Sequence, residues 1–63
     1  MLKVDKIKEL MDKKGLMQKD LAEAAGVSPG FICQMMNGSR VPGPVPFSKI
    51  ATTLGVTMED LVG

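Results

Sequence analysis

The 63-residue chain has no histidine, tryptophan or tyrosine, a single cysteine (Cys33) and only two phenylalanines. One cysteine cannot form an intrachain disulfide, and without histidine the usual ligand sets of a zinc site cannot be assembled. The missing histidine and tyrosine also leave no paired nucleophile and base, so an enzyme is not expected. Neither a cofactor nor a metal is implied. No stretch approaches the roughly 18 uninterrupted apolar residues of a membrane span. The opening Met1-Leu2-Lys3-Val4-Asp5-Lys6 lacks the apolar segment and cleavage site of a secretion signal. A native start, a cytoplasmic location and no membrane partner are therefore expected. Net charge is only +1, which by itself does not announce a polyanionic ligand.

What the chain does have is an ordinary globular composition, 44% apolar and 24% charged. Sixty-three residues suffice for one domain, 1–63, and a chain this short buries only about 60% of the surface its unfolded form exposes. With disulfide and metal excluded, a partner subunit is the remaining external source of stability. No run of alternating β-branched or aromatic residues suggests a strand. Helical spacing fits five times, so the expected class is all-α, a compact five-helix domain.

The first helix, about 3–14, aligns Val4, Ile7, Leu10 and Met11 on one face, and Gly15 stops it. Its lysines form a solvated face that can steer a polyanion at long range. The second, about 18–25, turns Leu21, Ala22 and Ala25 inward and ends at Gly26. Met17 at its N-cap has no side-chain acceptor, which Asp20 in the first turn partly offsets. The third starts cleanly, with Ser28 as cap and Pro29 at the first helical position, and ends at Asn37-Gly38. Ile32, Met35 and Met36 form its inner side.

Three prolines in Pro42-Gly43-Pro44-Val45-Pro46 resemble a linker. Yet the first-turn N–H groups of a helix have no intrahelical acceptor, so Pro44 and Pro46 fit a first turn. A fourth helix is expected over 44–54, with Phe47, Ile50, Ala51 and Leu54 inward. A short fifth, 57–62, opens with Thr57 as cap and Glu59 and Asp60 in its first turn. The six methionines read as gap-filling core residues.

The middle pair is the informative part. Ala24-Ala25-Gly26, then Val27-Ser28-Pro29, describes two helices joined by a tight glycine turn. Ala22 and Ala25 permit close approach, Gly26 takes the turn, and Val27 fills the angle between the helices. A second helix held this way can protrude into a major groove.

The string Gln18-Lys19-Asp20-Leu21-Ala22-Glu23-Ala24-Ala25-Gly26-Val27-Ser28-Pro29-Gly30-Phe31-Ile32-Cys33-Gln34-Met35-Met36-Asn37-Gly38 continues through Arg40, Pro42, Lys49-Ile50-Ala51 and Leu54-Gly55-Val56 to Asp60-Leu61. In joint spacing it resembles the Cro/repressor-type (lambda-repressor-like, XRE) helix-turn-helix family over about residues 4–62. The helix-turn-helix would occupy about 18–37. The resemblance implies a sequence-specific DNA-binding transcriptional regulator, repressor-like, inserting helix 28–37 into the major groove. It implies contacts with double-stranded DNA for ten residues. Gln18 and Lys19 would meet a phosphate at the start of helix two. Ser28 would cap helix three and touch backbone, and Pro29, Gly30, Cys33 and Gln34 would face the groove. Gln34 is the base reader of choice, since its amide matches adenine N6/N7 bidentately. Asn37 and Arg40 would lie near the second phosphate strand. Phe31 is either partly buried or set against a sugar or thymine methyl, and Cys33 is either a small exposed side chain or a redox-sensitive thiolate.

A homodimer is expected on a near-palindromic operator with half-sites ~34 Å apart, its contact through helix 5 and the end of helix 4, where Val56, Met58, Leu61 and Val62 are apolar near the C-terminus. The alternative is a protein-interaction module, antitoxin-like or regulatory, with weak or no DNA binding. Three positions depart from the family. Met17 stands where the family usually has serine or threonine, Met36 where it has glutamate, and Met11 where an arginine often pairs with that glutamate. A methionine contact in place of a partly buried ion pair is expected.

Overall fold

A computed structural model describes residues 2–63. Four α-helices follow one another, α1 (Val4–Lys14), α2 (Gln18–Ala25), α3 (Pro29–Met36) and α4 (Pro44–Leu54), and a single 3-10 turn, Glu59–Leu61, closes the chain. The architecture is all-α. Helix α2 lies at the centre, packed most extensively on α3 and α4, while α1 touches α3, α4 and the final turn.

The apolar spacing of each helix converges on one core. Ile7 and Met11 of α1, Leu21, Ala22 and Ala25 of α2, Ile32 and Met35 of α3, and Ile50, Ala51 and Leu54 of α4 are all buried. Leu10, Val27, Met36 and Phe47 pack against them from the edge. The alanines let α2 approach its neighbours closely, which is why an eight-residue helix can sit at the centre.

The proline segment folds as its chemistry suggests. Gly43 is extended at the N-cap of α4, Pro42 is buried, and Phe47 N–H makes the first helical bond to Gly43 O at 3.0 Å. Pro44 and Pro46 thus occupy positions whose missing N–H would have lacked an intrahelical acceptor.

Two expectations are corrected. Helix α1 starts at Val4, because Lys3 takes the non-helical angles of an N-cap, φ −82° and ψ 79°, with its N–H donating to Leu61 O at 2.7 Å. The fifth helix over 57–62 is only the 3-10 turn. Thr57 and Asp60 do cap it, Thr57 N–H donating to Asp60 Oδ2 at 3.0 Å and Asp60 N–H to Thr57 Oγ1 at 3.3 Å. Its last residue, Leu61, enters the core with no exposure. Val62 is extended and forms an antiparallel bridge with Leu2. Burying one leucine and pairing two strand residues outweighs a helix too short to repay its nucleation.

Candidate nucleic-acid interface

The turn between α2 and α3 sets the geometry of the site. Gly26 caps α2 at φ 71°, ψ 30°, a left-handed conformation that a side chain disfavours. Its N–H and that of Val27 return to Glu23 O and Ala22 O at 3.2 and 3.0 Å. Ser28 then starts α3, its Oγ accepting from Phe31 N–H at 3.2 Å, with Pro29 as first helical residue.

Burial of Ile32 and Met35 turns the opposite side of α3 outward. Pro29, Gly30, Cys33, Gln34 and Asn37 are exposed along it. Gly30, Gln34 and Asn37 follow at intervals of four and three, so they form one row. Phe31 is half-buried on the flank of that row. Cys33 is a free, exposed thiol.

The loop after α3 is tied back onto it. Ser39 N–H donates to both Asn37 Oδ1 and Gln34 O, at 2.9 Å each, and Arg40 N–H reaches Gln34 O at 3.3 Å. The Asn37 carbonyl oxygen therefore serves the loop, leaving its amide NH2 as the outward donor. The Arg40 guanidinium carbon lies 5.5 Å from the centre of the Phe31 ring. Arg40, Phe31 and Gln34 are thereby brought together.

Gln18 and Lys19 sit elsewhere, exposed at the N-terminus of α2. Gln18 borders a shallow cleft shared with Met11, Met17 and Met36. Asp20 caps this end by accepting from Met17 N–H at 2.9 Å, the compensation expected for a capless Met17. Its carboxylate also puts a negative charge beside the helix start. Met11, almost wholly buried, and half-buried Met36 line the same cleft, consistent with a thioether pair where the family has an ion pair.

One cation near the turn was not singled out from the sequence. A Cβ placed on Gly26 would lie 3.8 Å from Lys49 Nζ, so this α4 lysine reaches the C-terminal end of α2. Only packing α4 across α2 reveals it. Nothing in the spacing of Lys49 signals that approach.

Two short helices joined at a left-handed glycine, the second presenting a row of small and amide side chains, define a helix-turn-helix protein. The helix-turn-helix family's sequence profile matches residues 7–61, and the chain belongs to that family. It is 31% identical over 58 residues to the HTH-type transcriptional regulator DdrOP3 of Deinococcus deserti, a match covering 92% of this chain and 45% of that protein. The chain thus spans less than half the length of this curated relative. Among solved structures it is similar to the clp gene regulator ClgR of Corynebacterium glutamicum, with a TM-score of 0.77 and 26% identity over 86% of this chain and 57% of the other.

Proposed function

We propose that residues 1–63 form one DNA-binding domain of a transcriptional regulator, repressor-like in action, with α3 entering the major groove of double-stranded DNA. The observation that carries this reading is the outward row Gly30, Gln34 and Asn37 on the solvent face of α3, whose inner face is packed into the core beyond the Gly26 turn. Family membership supports it, as do the regulator names of the two relatives.

In this reading Gln34 reads a base edge, with adenine as its best match. Pro29, Gly30 and Cys33 lie against the groove with few hydrogen bonds to give, so much of the affinity comes from the backbone. Gln18 and Lys19 with the first N–H groups of α2 meet one phosphate strand. Ser28 touches backbone, and Asn37, Arg40 and Phe31 lie toward the other strand. No catalytic role is proposed for any residue, and a cytoplasmic location suits a DNA-binding protein that has no described helix able to cross a membrane.

A homodimer on a near-palindromic operator completes the proposal. Leu61 is inside the monomer and Val56 is half-buried, so the contact narrows to Met58 and Val62, 41% and 43% exposed. The test is selection of bound sequences from a random duplex pool by the wild type and by Gln34→Ala. A position-specific preference that disappears in the variant is expected. An unchanged preference removes Gln34 from the reading role.

The sparse polarity of Pro29, Gly30 and Cys33 and the low net charge favour a second reading, a protein-interaction module of the same fold. Salt separates the two. DNA affinity falls linearly in log–log form with salt, in proportion to the phosphates neutralised. Absence of duplex binding even at low salt would select the interaction module.

A further inference from the structure

We propose that Phe31 is a positioning residue for Arg40: its ring holds the guanidinium beside Gln34, so that a DNA phosphate meets a cation already in place. The inference rests on the DNA-binding reading and assigns Phe31 an indirect part in it.

Three observations converge. The Arg40 guanidinium carbon is 5.5 Å from the Phe31 ring centre, inside the range in which a cation is drawn to an aromatic face. The main chain is fixed to the same helix, Ser39 and Arg40 N–H groups both donating to Gln34 O at 2.9 and 3.3 Å and Asn37 Oδ1 pinning Ser39 at 2.9 Å. The loop therefore doubles back along α3 and carries Arg40 toward its first turn. Finally, Phe31 and Gln34 are three residues apart on the helix and hence neighbours. The guanidinium over the ring thus flanks the base-reading amide.

The ring is half-buried and has no polar atom to offer a nucleic acid. What it can offer is a surface. A guanidinium drawn to its face by a cation–π contact keeps N–H groups free for bidentate phosphate contact. An arginine ordered before binding loses less freedom on binding, and that difference appears as affinity.

The experiment measures affinity of the whole chain for a mixed-sequence duplex of about two turns, ~20 bp, at several salt concentrations. Wild type, Phe31→Leu, Phe31→Tyr, Arg40→Gln and the Phe31→Leu/Arg40→Gln pair are compared, each checked by circular dichroism for folding. Phe31→Leu should weaken binding about two- to fivefold with Arg40 present, the range of an exposed cation–π contact, and have little effect with Gln at position 40. Phe31→Tyr should retain wild-type affinity. Arg40→Gln should lower the log–log salt slope by about one.

If Phe31→Leu costs the same affinity in both backgrounds, the ring touches DNA directly and the proposal is overturned. A wild-type chain that binds no duplex at low salt overturns the DNA-binding reading and this one with it. Should Phe31→Leu fail to fold, proton NMR of the free wild type decides. Arg40 δ-methylene protons shifted upfield by the ring are expected, and unshifted ones overturn the proposal.

Discussion

Gly26 has φ +71°, yet a Cβ there would meet nothing nearer than Lys49 Nζ at 3.8 Å. The constraint is thus conformational, not steric crowding. Gly26→Ala should lower stability by about 1–2 kcal/mol, the strain of a left-handed residue with a Cβ, and Gly26→Asn by less, because asparagine tolerates that region. Thermal melts check this order. The methionine pair offers a second test at this scale. Met11→Arg places a charge at a site only 5% exposed and should destabilise strongly, while adding Met36→Glu should restore much of the loss. A double-mutant cycle showing no coupling would refute the exchange of an ion pair for thioethers.

Among helices, the C-termini of α2 and α4 need attention, since neither helix has a basic residue in its last turn. Each receives a lysine from another helix. Lys49 Nζ lies 3.8 Å from the site of a Gly26 Cβ, and Lys14 Nζ 3.6 Å from that of Gly55. Both ammonium groups face the partly negative end of a helix dipole. Lys14→Gln and Lys49→Gln should each cost about 0.3–1 kcal/mol at low ionic strength and less in high salt. If Lys49→Gln instead left stability unchanged but weakened DNA binding, its place would be with the phosphate contacts.

The Asp60 carboxyl is held below its ordinary value of 3.8, first by the Thr57 backbone N–H, then by hydrogen bonding with the Thr57 side chain, and further by the charges of Lys6 and Lys3. A carboxylate with a lowered folded-state pKa stabilises fully above its unfolded value. That stabilisation is lost as pH falls from near 3.8 through the lower folded value. Asp60→Asn should flatten the fall in melting temperature over that window, and a variant as acid-sensitive as wild type would show that other carboxylates govern it.

For the whole molecule, the radius of gyration is 10.1 Å, against about 10.6 Å expected of a compact domain this long. Compactness does not make it robust. At the usual stability per residue the fold is worth about 3–9 kcal/mol. Ile32, wholly buried where α3 meets the core, should cost about 2–5 kcal/mol when cut to alanine. Ile32→Ala should therefore remove a large part of the fold's stability and lower its melting temperature markedly. A cooperative melt like that of wild type would show that the fold is worth more than this range. Sedimentation of wild type and of Met58→Glu/Val62→Glu tests the proposed dimer surface, with a dimer expected for wild type and a monomer for the variant.

Much of this protein is legible from residue order because its signals are local. Ser28-Pro29 marks the start of α3, Gly15, Gly26 and Gly55 mark three helix ends, and helical spacing marks the inward faces. These depend on backbone conformation within a turn, so α1 to α4 and the outward row of α3 follow from sequence, as does the first turn built on Pro44 and Pro46. Only the tertiary structure decided the rest, because it depends on residues distant in the chain competing for one partner. Leu61 chose the core and Val62 chose Leu2, which ended the fifth helix. Packing α4 across α2 set Lys49 at the Gly26 turn. The loop bonds to Gln34 O brought Arg40 over Phe31. Local chemistry wrote the helices, and burial and long-range pairing determined which side chains they brought together.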